Sequence, residues 1–176
     1  MHATQNYATR LAECEQNGKW EEVIELMTEV RVLDVELPAE AYEAGLRTLA
    51  TSNQADYAAK LLGRVLDGAT PLDDQVIIEV FSSLSRNRCA DAALTLYRAH
   101  YDGRKDHPAY APVYNAVVRA CARGGKLDEA LAMLDVLVMD DEVQSEGRTF
   151  DVVAAECMFA GRQDAGLEVL EMRDYL

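Results

Sequence analysis

Apolar side chains recur along the chain with the spacing of helix faces, and one ten-residue pattern returns at intervals of 35 to 37 residues. In each copy the fourth residue is acidic, the sixth is small or β-branched, and the ninth and tenth are apolar or aromatic. Positions three and four apart share one face of a helix, so the pattern predicts an amphipathic helix in every copy. The copies begin at Gly18, Asn53, Arg88, Gly125 and Gly161.

A second pair of apolar columns precedes each copy and predicts a second helix. A large side chain is followed seven residues later by Cys or Leu, and seven residues are two helical turns, so both columns share one stripe. The large residues are Tyr7, Tyr42, Ile77, Tyr114 and Phe150, and their followers are Cys14, Leu49, Leu84, Cys121 and Cys157. We therefore predict an all-α solenoid of five helix-turn-helix repeats, near 4–31, 39–67, 73–102, 111–138 and 147–175, within a single helical-repeat domain over 1–176.

The charge of the chain narrows its expected partners. Basic residues number 17 and acidic residues 31, a net charge of -14, which repels nucleic-acid phosphates and anionic membrane surfaces on average. No apolar run approaches the length that spans a bilayer, so we expect neither membrane insertion nor DNA binding. The first residues have the features of neither a secretion signal nor a transit peptide, which fits a cytosolic protein or a mature processed form.

The residues that usually carry chemistry are few and scattered. The four cysteines form no CxxC pair, and we expect them to be reduced core residues. His100 and His107 flank a connection that also carries Asp102 and Asp106; a metal site is conceivable there, although a solvated turn explains the same residues. Phosphate-binding glycine loops and a nucleophile elbow are absent from the sequence. We therefore expect a protein that is not an enzyme and that uses no cofactor or metal.

The segment PVYNAVVRACARGGKLDEALAMLDVL, at 112–137, resembles a pentatricopeptide repeat. The segment matches the order of residues in that family: V-T-Y-N, then apolar residues, Cys or Leu, a basic residue, Gly and L-D-E-A-L. Residues 148–170 match nearly as well, and the repeat around 75–97 matches least. The tetratricopeptide pattern fits less well, because its period is 34 and its Trp, Leu-Gly and Tyr positions are not visible. The resemblance implies a right-handed superhelix, a chloroplast or mitochondrial location, and usually RNA binding.

The resemblance also implies which positions read bases. These are the fifth residue of each first helix, Thr9, Ala44, Glu79, Ala116 and Val152, and the last residue of the same repeat, Ala39, Asp74, Ala111 and Gly147. No repeat has a full polar pair, since Ala and Val offer no hydrogen bond to a base and Glu79 adds negative charge. A basic residue near the end of the first helix often contacts phosphates in this family, and only Arg86 and Arg123 occupy that column.

Two hypotheses for the function follow. The first is a non-catalytic scaffold or adaptor that binds a protein partner or a multi-subunit assembly in an organelle, because the base-reading positions are empty and the chain is acidic. The alternative is a single-stranded RNA-binding protein in organelle RNA processing or translation, with RNA as the weaker candidate partner. The candidate partner-binding residues on the concave face are Thr9, Ala44, Glu79, Ala116, Val152, Arg86, Arg119 and Arg123.

If RNA or an acidic peptide binds, the most basic region of the sequence is the first place to expect it. That region comprises Arg98, Arg104, Lys105, Arg119, Arg123 and Lys126. Ordinary exposed charges remain the alternative explanation for these residues.

Overall fold

The computed structural model describes residues 2–175, and the side chains of residues 4–175, as ten α-helices without a β-strand. This confirms the predicted all-α fold. The helices are α1 (His2–Asn17), α2 (Trp20–Val32), α3 (Ala39–Thr51), α4 (Ala55–Asp67), α5 (Asp74–Arg86), α6 (Ala90–His100), α7 (Tyr110–Arg123), α8 (Leu127–Met139), α9 (Gly147–Phe159) and α10 (Gln163–Asp174).

The chain divides into two compact units, Met1–Ser83 and Leu84–Leu176, with the boundary inside α5, and we describe the units separately. The predicted single domain over 1–176 stays a prediction, and its two end residues lie outside the described part of the chain. Within 2–175, none of the helices combines the length and the apolar character that crossing a bilayer requires.

In the first unit, α1 packs against α2 and α3, and α3 packs against α4. The apolar columns supply the core, and Cys14 and Leu49 are buried as predicted. Tyr42 is half-buried, and so is Tyr7, whose hydroxyl donates a hydrogen bond to Glu29 Oε2 at 3.2 Å. The aromatic column of this unit therefore lies at the rim of the core, with its polar ends toward solvent.

In the second unit, α7 contacts α6, α8 and α9, and α10 packs on α9. Tyr114, Cys121, Phe150 and Cys157 are all buried, as the columns predict. Burial raises the pKa of the Cys121 thiol to about 11. The core of this unit is therefore built on the aromatic and cysteine columns of the last two repeats.

Every first helix of a repeat ends in the same left-handed turn. One residue has positive φ, and the N–H of the next residue donates to the carbonyl five residues earlier, which satisfies a carbonyl at the helix end. The left-handed residues are Gly18 (φ 64°), Asn53 (58°), Arg88 (60°), Gly125 (83°) and Gly161 (76°). The closing bonds run from Lys19 to Cys14 (3.0 Å), Gln54 to Leu49 (2.9 Å), Cys89 to Leu84 (2.9 Å), Lys126 to Cys121 (2.8 Å) and Arg162 to Cys157 (2.8 Å).

A buried amide joins the fourth repeat to the fifth. Asn115 Nδ2 donates to the carbonyls of Ala111 and Gln144, both at 2.9 Å. Asn115 Oδ1 accepts the N–H of Glu146 at 3.1 Å and the hydroxyl of Thr149 at 2.8 Å. One side chain on α7 thus fixes the connection that leads into α9, because it satisfies backbone groups on both sides of that connection.

The first unit has a counterpart of this contact. Glu43 follows Tyr42 as Asn115 follows Tyr114, and its Oε1 accepts the N–H of Asp73 at 2.8 Å. The residue after the aromatic column therefore accepts a backbone N–H from the connection that precedes the next repeat, in both units. This contact complements the apolar stripe in setting the spacing of the repeats.

Replacement of the buried amide tests its contribution to stability. We expect Asn115→Ala to lower the free energy of unfolding by about 1–3 kcal/mol, because it leaves buried backbone groups without partners. Urea denaturation followed by circular dichroism measures the change. Asn6→Ala, at an exposed position of α1, is the control and should change the value by less than about 0.5 kcal/mol. Equal unfolding curves for the two variants would contradict the assigned role.

Candidate nucleic-acid interface

Four arginines of the second unit lie close together, and we call them the arginine cluster. Arg119 and Arg123 are one turn apart on α7, Arg148 lies in the first turn of α9, and Arg88 is the left-handed residue between α5 and α6. The charges of Arg148, Arg119 and Arg88 all act on Arg123. The cluster is therefore a local concentration of positive charge on an otherwise acidic chain.

Arg123 is the member on which the other charges converge. Its guanidinium is half-buried, and Nη1 donates to Ser85 Oγ at 3.2 Å. Burial, followed by the charges of Arg148 and Arg119, lowers the pKa of Arg123, although a guanidinium stays protonated in proteins. A cation surrounded by other cations is stabilised by an anion, and phosphate matches the donor geometry of guanidinium.

Arg119 forms hydrogen bonds to other side chains of the fold. Its side chain is only 9% exposed, and Nη1 donates to Glu146 Oε2 at 2.5 Å and to Thr149 Oγ1 at 2.8 Å. These two residues also hold hydrogen bonds to Asn115. The charge of Arg119 is thus compensated within the fold, which leaves Arg123, Arg148 and Arg88 as the more available cations.

Arg88 was not among the predicted site residues, and neither was Arg148. The Arg88 side chain is 64% exposed; Nη1 donates to the carbonyl of Arg123 at 2.9 Å, and Nη2 lies 3.8 Å from Glu156 Oε1. Arg88 and Arg123 are 35 residues apart, which is one repeat. A search for basic residues separated by one repeat length would have found this pair in the sequence.

Two lysines of the predicted basic region are compensated by nearby carboxylates. Lys105 forms an ion pair with Asp140. Lys126 lies 3.2 Å from Asp91 Oδ1 and 3.9 Å from Glu129 Oε1. Of the predicted basic region, these two lysines are therefore paired with carboxylates, whereas Arg119 and Arg123 belong to the arginine cluster.

The remaining predicted partner-binding residues differ in how much surface they offer. Ala44 and Ala116 are buried, at 4% and 0% exposure. Glu79 and Val152 are half-buried, whereas Thr9 and Arg86 are exposed. The part that these residues take in binding stays a prediction, and the two alanines have little surface with which to contact a partner.

Among the described side chains, no group of three or more His, Cys, Asp and Glu residues is placed to hold a metal ion. The connection with the two histidines belongs to that part of the chain. There, His107 Nδ1 accepts the N–H of Ala109 at 3.1 Å. The ring of His107 also packs edge-on against Tyr101, with 5.4 Å between the ring centroids. These two contacts of His107 are thus structural contacts within the connection.

Matched substitutions distinguish the structural arginine from the available one. We expect Arg119→Gln to lower the free energy of unfolding by about 1–2 kcal/mol, because Glu146 and Thr149 lose a donor, and partial exposure of Glu146 limits the loss. Arg123→Gln should change it by less than about 0.5 kcal/mol, since the substitution also removes repulsion within the cluster. Urea denaturation of both variants measures the difference. Comparable destabilisation by the two would contradict the division of roles.

Comparison with known families finds a match for one of the five repeats. The model of the PPR repeat matches residues 112–141, which cover most of α7 and all of α8. No curated protein matches the chain.

Solved structures resemble the chain over nearly its whole length. The PPR domain of Arabidopsis thaliana protein-only RNase P 1, in complex with tRNA, has 15% sequence identity and a TM-score of 0.62, and the match covers 98% of this chain and 90% of that one. Maize PPR10 has 21% identity and a TM-score of 0.62, covering 98% and 24%. PPR10 in complex with an 18-nt psaJ RNA element has 19% identity and a TM-score of 0.57, covering 98% and 28%.

These likenesses show a helical-repeat solenoid fold, as predicted. Together with the PPR match, they confirm the predicted resemblance to pentatricopeptide repeat proteins. The chain spans about a quarter of the length of PPR10 and most of the protein-only RNase P 1 domain.

One prediction is wrong: that the chain is a protein-binding adaptor for which RNA is the weaker candidate partner. Two of the three similar structures above contain RNA, tRNA in one and an 18-nt element in the other. The prediction relied on the empty base-reading positions and on the net charge of -14. Phosphate contacts do not need the base-reading positions, and salt screens charges beyond about 10 Å at 0.1 M. The field at a binding surface therefore depends on nearby groups, such as the arginine cluster, more than on the total charge.

Proposed function

Because this chain has the repeat and the fold of pentatricopeptide repeat proteins, we propose that it binds single-stranded RNA and does not act on it chemically. The observation that carries this proposal is the arginine cluster of the second unit, where burial and neighbouring guanidinium groups act together on Arg123. The RNA-bound structures of similar proteins support the same class of ligand.

The proposed contacts are made to phosphates. Arg123 and Arg148 supply guanidinium groups from two successive repeats, and a guanidinium can donate two parallel hydrogen bonds to one phosphate. Each phosphate that an arginine neutralises releases counterions from the RNA, so affinity should fall as salt rises. The half-buried setting of Arg123 strengthens its interaction with an anion, because less water screens the charges there.

The proposed binding has little base selectivity. At the base-reading positions, Ala44, Ala116 and Val152 have no donor or acceptor in their side chains, and two of them are buried. Phosphate contacts position a strand without reading its sequence, and base identity enters through hydrogen bonds to base edges. Within the second unit, Ala116 and Val152 therefore offer no hydrogen bond that would distinguish the bases of a strand held by the arginine cluster.

We also propose that the protein acts in a chloroplast or mitochondrion, in RNA processing or translation. The family resemblance supports this location. Affinity for RNA of many sequences suits a role that protects or holds RNA segments, with sequence choice supplied by other factors.

Charge reversal in the cluster tests RNA binding. We expect the wild type to bind a fluorescently labelled single-stranded RNA of mixed sequence at low salt, and Arg123→Glu/Arg148→Glu to weaken binding at least about tenfold. The slope of log affinity against log salt should fall by about 1.4, for two phosphate contacts. Fluorescence anisotropy over a salt series measures both quantities.

The control for charge reversal changes the net charge equally. Lys60→Glu/Arg64→Glu alters two exposed cations of α4 in the first unit and should weaken binding by less than about threefold. No binding by the wild type at low salt would overturn the proposed function. Equal weakening by both double variants would overturn the assignment of the site.

Base selectivity has its own test. We expect homopolymers of uridine, adenosine and cytidine to bind with affinities within about fivefold of one another, because phosphate contacts dominate. Competition of each unlabelled homopolymer against the labelled RNA measures the ratios. A preference above about a hundredfold for one sequence would show that base-edge contacts control binding.

A further inference from the structure

We propose that Arg88 is a phosphate-binding residue of the RNA site, and that the Glu156 carboxylate competes with the RNA phosphate for it. This inference rests on the proposed function and deepens it. It identifies a contact outside the two basic positions that the family resemblance implies, and it assigns to an acidic residue within the site the effect of lowering RNA affinity.

The first observation is the ion pair itself. Arg88 Nη2 lies 3.8 Å from Glu156 Oε1, a separation that is longer than a hydrogen bond. The Glu156 side chain is 21% exposed, whereas that of Arg88 is 64% exposed. The charge of Glu156 also acts on Arg123, in opposition to the surrounding arginines. Glu156 thus supplies negative charge to the arginine cluster without making the short contacts that a phosphate can make.

The second observation is the backbone at Arg88. Three of the five repeats have glycine at this left-handed position, and Arg88 adopts a φ of 60° there. A side chain is disfavoured in this region, and such outliers persist where the surrounding structure or a function requires them. The neighbouring packing is tight: a Cβ on Gly124 would lie 2.6 Å from Ala90 Cβ and 2.9 Å from the Arg88 carbonyl oxygen. The turn is therefore held directly against the end of α7.

The third observation is the direction in which the guanidinium is held. Nη1 of Arg88 donates to the carbonyl of Arg123 at 2.9 Å. This bond fixes one side of the guanidinium at the end of α7, and the other side is the one that approaches Glu156. A guanidinium has five N–H donors, so the donors on that side can bind a phosphate while the carbonyl bond is kept.

Arg88 has an anionic partner both with and without RNA. A phosphodiester and a carboxylate each carry one negative charge, so Arg88 keeps an anionic partner when RNA replaces Glu156. The phosphate gains short hydrogen bonds to the guanidinium, and the ion pair with Glu156 is lost. Glu156 therefore lowers the net affinity for RNA and makes the site less prone to retain any strand that it meets.

Two single substitutions test the inference. We expect Glu156→Gln to raise affinity for the labelled RNA about fivefold, and the control Glu168→Gln, an exposed acidic residue of α10, to raise it less than about twofold. Arg88→Gly should lower affinity about fivefold and reduce the salt slope by about 0.7. Its melting temperature should be unchanged or higher, because glycine suits the left-handed turn.

The double variant Arg88→Gly/Glu156→Gln tests the coupling between the two residues. The gain from Glu156→Gln should fall from about fivefold to about twofold once Arg88 is absent, and the remainder reflects the charge of Glu156 on Arg123. An undiminished gain in the double variant would overturn Arg88 as the ligand. Equal effects of Glu156→Gln and Glu168→Gln, with wild-type binding intact, would overturn the competition and leave the proposed function in place. No RNA binding by the wild type would overturn both.

Discussion

The closing hydrogen bond at the end of each first helix is the constraint on which the repeat depends. An N–H reaches back five residues to a carbonyl, and the left-handed residue before it turns the chain. In all five repeats the second helix begins two residues after the left-handed position, as Trp20 follows Gly18 and Leu127 follows Gly125. A turn of constant geometry gives each helix pair the same start, so the apolar columns of successive pairs can meet in register. The same turn places Arg88 beside the end of α7.

What distinguishes the candidate site is which of its basic side chains are paired with carboxylates, more than how many basic side chains it has. Lys126 and Arg119 belong to ion pairs within the fold, and their charges are matched where they stand. Arg123 has more cations than anions acting on it, and one carboxylate, Glu156, moderates that excess. A surface of this kind can coexist with a net charge of -14, because each carboxylate acts mainly on its neighbours in salt solution.

Much of the fold could be predicted from the sequence, and less of the site. Tyr114 and Phe150 are one repeat length apart, as are Cys121 and Cys157, and all four lie on helix stripes, so their burial follows from periodicity alone. Arg88 carries no such signal, because it lies in the turn between α5 and α6 and on no helix stripe. Its role depends on contact with Arg123, which is 35 residues away. The pattern of residues within one helix does not reveal that contact. The burial of Ala116 is likewise a product of packing between helices, which the position of a residue within a repeat does not reveal.

The buried cysteines have a consequence for following the molecule in solution. Cys14, Cys121 and Cys157 each lie on the inner stripe of a different repeat, and burial raises the pKa of all three thiols. A thiol of this kind reacts with an alkylating reagent only when its own repeat opens to water and the thiolate can form. The chain thus contains natural reporters in its first, fourth and fifth repeats. The order in which the three thiols are modified shows which of these repeats opens to water first.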